Sequence, residues 1–293
     1  MRRLVRAALA LLACWMYLGS AQAEAIRARD DGGVEVALRA PARRVVTLAP
    51  HLTELVYAAG GAASLVAADL ASDYPAAAAD LARIGDASGL DLERIVALRP
   101  DLVLGWQSGN KPSDIARLRQ LGLLVFLSEP RRLDDIAHTL RVLGLMLGTG
   151  SVADERAEAF EARLRTLRAR AAGLRPVSVF FEVWHQPLIT VNADHLISDV
   201  VALCGAHNAL GALPVLAPVV SLEDVLARDP EVIFAAGLPS GALAGWSRFP
   251  GLRAVQRHQI FEIASDSLTR ATPRVLDGAE QLCRRIEAAR ESN

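Results

Sequence analysis

The residues that could perform catalysis or hold a metal ion are present, but their spacing suits neither task. Six histidines are spread along the chain: His51, His138, His185, His195, His207 and His258. No pair has the i, i+4 spacing at which a helix presents two imidazoles to one metal ion. The dipeptides Ser72-Asp73 and Ser265-Asp266 have no neighbouring histidine, and the nucleophile elbow that a secreted α/β hydrolase needs is absent. We therefore expect a protein that binds its ligand without transforming it, with no metal site, no cofactor and no catalytic residue.

Aromatic and polar residues instead collect in the segments that follow predicted strands. Aromatic side chains make up only 5% of the chain, yet Tyr74, Trp106 and Trp184 all fall in these segments. Four polar side chains join them there: His51, His185, Asp266 and Arg270. Open parallel sheets bind ligands beyond the carboxyl ends of their strands, and flat rings suit a large, partly flat, mostly uncharged ligand. The alternative is that each ring only covers the core beneath its own loop.

Strand and helix patterns alternate along the chain, which is typical of a doubly wound parallel sheet. Leu92–Val103 predicts a short helix, a stop before a proline and then a buried strand, and Leu222–Ile233 repeats this phrase with the Leu, Glu, Ala and Pro unchanged. The repeat indicates an α/β protein with two Rossmann-like lobes and a ligand cleft between them.

One long helix is expected between the lobes. Residues 153–172 contain neither glycine nor proline, and a helix of about 20 residues would be roughly 30 Å long. We divide the chain into a signal peptide (1–23), an N-terminal α/β lobe (24–150), the connecting helix (151–173) and a C-terminal α/β lobe (174–293).

The signal peptide is predicted from three features. Three arginines within the first six residues precede an apolar stretch from Ala7 to Leu18, and Ala21-Gln22-Ala23 forms a small-residue cleavage site. An uncleaved membrane anchor and lipidation at Cys14 are the alternatives. The net charge of −1 offers no basic surface to nucleic acid. We expect an exported, periplasmic monomer that binds no nucleic acid.

Two cysteines, Cys204 and Cys283, follow the predicted signal peptide. Both lie in apolar stretches with helical spacing, so two buried free thiols are one interpretation. Because disulfides persist in exported proteins, we favour a bond that ties the C-terminal helix to the second lobe. Closing a loop of 79 residues would stabilise the fold by about 4–5 kcal/mol in the chain-entropy account.

Several phrases resemble a known family. They are Ser72-Asp73-Tyr74-Pro75, Leu92–Val103, Gly105-Trp106 with Gly109-Asn110, Cys204-Gly205, and Ala271-Thr272-Pro273-Arg274 leading to Gln281-Leu282-Cys283. From Arg44 to Ile286 the chain is similar to the helical-backbone substrate-binding proteins of ABC importers, which are receptors for cobalamin, haem and ferric siderophores. It resembles the cobalamin-binding members most. The resemblance implies two lobes, one connecting helix, slight closure, and a disulfide at the two cysteines.

The resemblance also implies a ligand and a partner. The ligand is cobalamin (vitamin B12) or a related corrinoid, with haem or a ferric siderophore as the alternative, and the partner is the permease of an ABC transporter at the inner membrane. Tyr74 and Trp106 match positions that contact the corrin, and Asp266 lies at the cleft before Arg270.

Glu93 and Glu223 match two surface glutamates, one per lobe, that dock on arginines of the permease. The plainer interpretation is that each stabilises the start of its own helix, by about 0.3–1 kcal/mol.

The sequence departs from the family at the aromatic positions. Ala87, Ser267, and Leu216 or its neighbours stand where the family has tryptophan, whereas Trp184 and His185 replace small or aliphatic residues. The choice among the three ligands therefore stays open. His51 or His185 could approach a metal centre of the ligand, or form an ordinary hydrogen bond at a helix start or in a loop.

Overall fold

The computed structural model describes residues 25–238, 241–263 and 266–291. The predicted signal peptide, with Cys14, lies outside these residues, and so does the side chain of Asp266. Within the described ranges, no helix combines the length and the apolar character needed to cross a membrane.

The N-terminal lobe is a parallel sheet with helices on both faces. Its strands are β1 (Ile26–Arg29), β2 (Glu35–Leu38), β3 (Val45–Thr47), β4 (Leu65–Ala68), β5 (Ala82–Arg83), β6 (Gly85–Asp86), β7 (Gly89–Leu90), β8 (Leu102–Trp106) and β9 (Val125–Ser128). Its helices are α1 (Pro50–Ala58), α2 (Leu92–Ala97), α3 (Pro112–Gln120) and α4 (Leu133–Leu147). The parallel sheet has the order β5-β4-β3-β8-β9, while β1 pairs with β2 and β6 with β7 in antiparallel ribbons.

The C-terminal lobe repeats this plan with fewer strands. Its strands are β10 (Val177–Glu182), β11 (Ala206–Asn208), β12 (Val232–Ala236) and β13 (Ile260–Ile263). They form a parallel sheet in the order β11-β10-β12-β13. The connecting helix α5 (Gly150–Ala171) precedes this lobe, and the later helices are α6 (Leu196–Leu203), α7 (Leu222–Arg228), α8 (Arg253–Gln256), α9 (Asp266–Thr269) and α10 (Val275–Glu291). Residues 266–269, in one of the segments that follow predicted strands, form the short helix α9, and the buried Leu268 of this helix packs into the core.

The central strands are buried along nearly their whole length, as a sheet covered on both faces requires, and successive side chains enter opposite core clusters. Val45 lies in one core cluster and Val46 in another. In the second lobe, the neighbouring residues Phe181 and Phe180 likewise lie in different clusters. One of these clusters is continuous from the first lobe through α5 to the second lobe. The predicted fold of two parallel α/β lobes is confirmed.

Helix α5 has 22 residues and spans about 33 Å. It begins one residue before the predicted connecting helix (151–173) and buries Ala153, Ala157, Phe160, Leu164 and Leu167, which form a single stripe at helical spacing. Ion pairs tie it to α4 on one side and to α10 on the other. The helix is therefore held against elements of both lobes.

The internal repeat extends to the backbone. Arg99 and Asp229, which occupy matching positions before the two prolines, both have positive φ, at 47° and 43°. The disulfide is also present: Cys204 at the end of α6 bonds to Cys283 of α10, with the Cα atoms 4.7 Å apart. The prediction of a bond between these two cysteines is confirmed.

Candidate ligand-binding site

A cleft lies between the lobes at the carboxyl ends of the two parallel sheets. In each sheet the strand order reverses between two neighbours, β3 and β8 in the first lobe and β10 and β12 in the second. Open sheets bind ligands at such a reversal point. Segments that follow β3, β8 and β9 meet segments of the second lobe around a cavity of about 270 Å³.

Trp106 and His51 form the aromatic part of the first-lobe wall of this cavity, and Pro50, Glu129, Pro130 and Arg131 complete that wall. Their rings meet edge to face, with centroids 5.3 Å apart and planes at 81°. Asn110 fixes the end of β8, because its Oδ1 accepts the Trp106 N–H at 2.7 Å and its Nδ2 donates to the Leu48 carbonyl at 3.0 Å. Gly109 leaves room for the indole, since a Cβ there would lie 1.9 Å from Trp106 Cε3. The phrase around Gly109 and Asn110 thus sets the position of the tryptophan.

His51 is an uncharged ring at neutral pH. Burial, followed by the charge of Arg270, lowers the pKa of His51 to about 4. The residue lies in the first turn of α1, directly after β3, and only 7% of it is exposed. Its Nε2 is buried and has no hydrogen-bond partner within the described part of the chain. The wall therefore carries an imidazole nitrogen that the fold itself does not use.

The second-lobe wall contains a matching histidine. His195 caps α6, its Nδ1 accepts the Ile197 N–H at 3.2 Å, and burial lowers the pKa of His195 to about 4. The hydrogen of this neutral ring is thus assigned to Nε2. Leu196 and Leu216 add aliphatic surface to the same wall. Sequence reasoning did not single out His195, although the parallel between its segment and the segment that begins at His51 was an available signal.

Four charged residues join the lobes beside the cleft, and we call Glu54, Asp73, Arg270 and Arg274 the interlobe ion cluster. Arg270 Nη1 donates to Glu54 Oε1 at 2.7 Å and to Asp73 Oδ1 at 2.6 Å. Arg274 donates to both oxygens of Glu54, at 2.7 and 2.9 Å, and its guanidinium lies 3.7 Å from the centre of the Tyr74 ring. The hydrogen bond from Arg270 lowers the pKa of Asp73. The cluster thus fixes the first lobe to the segment that follows β13.

The predicted site residues divide among three places. His51, Trp106 and Arg270 line the 270 Å³ cavity, whereas Tyr74 lines a second cavity beyond the ion cluster. Trp184 and His185 lie in the loop after β10 and line neither cavity.

The loop after β10 is organised by a buried carboxylate. Glu182 is fully buried. Its Oε2 accepts a hydrogen bond from Trp246 Nε1 at 2.7 Å, and its Oε1 lies 2.7 Å from His185 Nδ1. Trp184 is 54% exposed and donates its Nε1–H to the Gln186 carbonyl. Trp184 and His185, which are both predicted ligand contacts, are therefore positioned by hydrogen bonds within this loop and to the end of β10.

The two glutamates of the repeat lie at equivalent positions. Glu93 and Glu223 are each the second residue of a helix, in α2 and α7, and both are exposed. Asp91 caps the first helix and Ser221 the second. Among the residues that the structure describes, no group of three or more His, Cys, Asp or Glu is placed to hold a metal ion.

Two parallel α/β lobes, one helix between them and a cleft at the facing sheet ends define a two-lobed binding protein. Residues 45–266 match the family described as periplasmic binding protein. The chain belongs to the periplasmic binding protein family, which confirms the resemblance found in the sequence and places it among substrate carriers rather than enzymes.

Relatives match nearly the whole chain. The Vitamin B12-binding protein of Vibrio cholerae serotype O1 is 37% identical over 254 residues, which cover 86% of this chain and 91% of the relative. The crystal structure of the periplasmic Vitamin B12 binding protein BtuF of Vibrio cholerae has a TM-score of 0.79 and 38% identity, over 85% of this chain and 98% of that one. The structure of the periplasmic heme-binding protein RhuT from Roseiflexus sp. RS-1 has a TM-score of 0.74 and 25% identity, over 85% of this chain and 99% of that one.

Proposed function

We propose that this protein captures cobalamin or a related corrinoid in the interlobe cleft and delivers it to the permease of an ABC transporter. The observation that carries the proposal is the 37% identity to a Vitamin B12-binding protein over 86% of the chain. The cleft chemistry supports it, since a flat indole, neutral imidazoles and aliphatic side chains suit a broad macrocycle, while Glu129, Arg131 and Arg270 offer hydrogen bonds to polar groups at its edge.

Binding uses residues from both lobes. Trp106 and His51 offer the first-lobe surface, and Arg270 supplies hydrogen bonds at the edge of the cavity. A corrin is larger than the 270 Å³ cavity, so the lobes move apart to admit it. Tyr74, Asp266, Trp184 and His185 then become contacts around the rim of the widened cleft.

A spectral titration with cyanocobalamin tests the proposal. We expect saturable binding at micromolar ligand, and no binding at that concentration contradicts the corrinoid assignment. Haem is the second candidate, because His51 Nε2 has no partner in the described structure. A parallel titration with haemin distinguishes the two, since ligation by histidine shifts the Soret band and His51→Leu abolishes that shift.

Delivery depends on Glu93 and Glu223, which present one carboxylate from each lobe. Replacing both by alanine leaves ligand affinity unchanged and reduces transport with the cognate permease. Glu155→Ala, at another exposed glutamate, is the matched control. A loss of ligand affinity in the double variant contradicts a docking role.

The mature protein acts in the periplasm as a monomer. We propose that residues 1–23 are removed, and that the chain divides into the lobes 24–150 and 174–293 with the helix 151–173 between them. The mass of the secreted protein tests the cleavage site, and sedimentation velocity tests the monomer.

A further inference from the structure

A second cavity, of about 500 Å³, lies beyond the interlobe ion cluster. Arg270 lines the first cavity, while Glu54 and Arg274 line the second, so the cluster stands between them. Four parts of the fold form its walls: α1, the segment after β4 that contains Tyr74, the connecting helix α5, and the chain that leads into the first turn of α10. Apart from Tyr74, none of its lining residues belongs to the proposed corrinoid site.

The wall has unused hydrogen-bond donors and a carboxylate that is already saturated. Glu54 accepts three hydrogen bonds from Arg270 and Arg274. Nη1 of Arg274 forms no hydrogen bond to a described residue. The same holds for Nη1 of Arg163, whose Nε and Nη2 bond Glu280 and Asp277. Burial raises the pKa of Tyr57, so its hydroxyl stays protonated. The cavity therefore favours a ligand rich in acceptors.

Two further groups in the wall have no partner. The guanidinium of Arg156, on the exposed side of α5, forms no ion pair or hydrogen bond with any described residue. Thr272 is 1% exposed, and its Oγ1 is buried without a hydrogen-bond partner in the described part of the protein. That oxygen has no accessible surface, so the exposed guanidinium of Arg156 is the group that a ligand in the cavity meets directly.

The remaining wall is apolar and partly flat. Phe160 and Leu276 are buried, and Pro75 and Pro273 border the cavity beside the rings of Tyr57 and Tyr74. We propose that this cavity binds a small aromatic carboxylate, whose ring packs on this apolar surface and whose carboxylate takes hydrogen bonds from Arg156. A guanidinium selects a carboxylate over a neutral amide of the same shape, because its hydrogen bonds to an anion are stronger.

Calorimetric titration of the full mature chain with benzoate tests this site. We expect saturable binding of benzoate and none of benzamide, which has nearly the same shape and no charge. Arg156→Gln weakens benzoate binding by about tenfold or more. Arg165→Gln, at an exposed arginine of α5 that does not line the cavity, leaves it unchanged.

Three results overturn the proposal: no benzoate binding at 10 mM (a concentration on the order of weak fragment affinities), equal binding of benzamide, or full binding by Arg156→Gln. Cyanocobalamin titration of the same variants keeps the two sites apart. Arg156→Gln retains the affinity of the parent for cyanocobalamin, whether or not benzoate binds.

Discussion

The ion cluster between the lobes is expected to be a major source of stability, and Glu54→Gln measures its contribution. Glutamine keeps the shape of the side chain and one carbonyl acceptor, but it removes the charge. Glu54 is 4% exposed and accepts hydrogen bonds from both Arg270 and Arg274 of the other lobe, whereas Asp73 accepts from Arg270 and not from Arg274. The substitution therefore leaves Arg274 without an anionic partner.

The expected loss follows from burial. Removing one member of a buried ion pair costs about 3–5 kcal/mol, but water reaches the two arginines, whose side chains are 14% and 25% exposed. We expect a loss of about 2–3 kcal/mol in the free energy of unfolding, which corresponds to a fall in Tm of about 5–10 °C for a chain of this length. Differential scanning calorimetry of the mature protein measures both quantities.

A matched control comes from the connecting helix. Glu161 accepts from Arg141 with 32% and 36% of the two side chains exposed, so Glu161→Gln should cost less than about 1 kcal/mol. If Glu54→Gln destabilises no more than Glu161→Gln, burial does not strengthen the cluster and the reasoning fails.

Three further predictions concern the disulfide, the buried histidine and the indole. Replacing Cys204 and Cys283 by serine should lower the free energy of unfolding by about 4–5 kcal/mol, and calorimetry should then find no further effect of a reductant, in contrast to the parent. The pKa of His51 is about 4 in the folded protein, against an ordinary value of 6.5. Between these two pH values the unfolded chain therefore binds more protons than the folded protein. The stability that depends on the neutral ring is present above pH 6.5 and is lost as the pH falls toward 4. The substitution His51→Leu should reduce this pH-dependent loss in the free energy of unfolding by about 3 kcal/mol, as measured by urea unfolding. An unchanged pH profile would show that the histidine is not buried in solution. Trp106→Ala should weaken cyanocobalamin binding by about tenfold. Gly109→Ala should do the same by displacing the indole, and unchanged affinity in fluorescence titration would remove Trp106 from the site.

The two sheets could be predicted from the sequence because the residue patterns that encode their helices and strands are local. The repeat at Leu92 and Leu222 encodes a helix, a stop and a strand within 12 residues, and each unit folds as its own pattern predicts. The disulfide was predictable from the export signal and the scarcity of cysteine.

Contacts across the cleft were not predictable in this way. Arg270 and Arg274 meet Glu54 from 216 and 220 residues away, and their encounter depends on the length and direction of α5. His195 was missed as a wall residue for the same reason, since its position relative to His51 is set by the packing of the lobes. The buried pair of Glu182 and Trp246 gave no sequence signal, because a glutamate at a strand end is ordinary.

The close fit of Gly109 against Trp106 has a consequence for the rate of ligand capture. An indole held between a glycine backbone and an imidazole edge has few other rotamers available, so its ordering cost, about 0.5–1.5 kcal/mol for such a side chain, is met when the chain folds. In the proposed corrinoid site, the indole surface is therefore already in its bound shape before a ligand arrives. Association should then be limited by diffusion and by separation of the lobes rather than by side-chain rearrangement, and affinity differences among ligands should appear mainly in their dissociation rates.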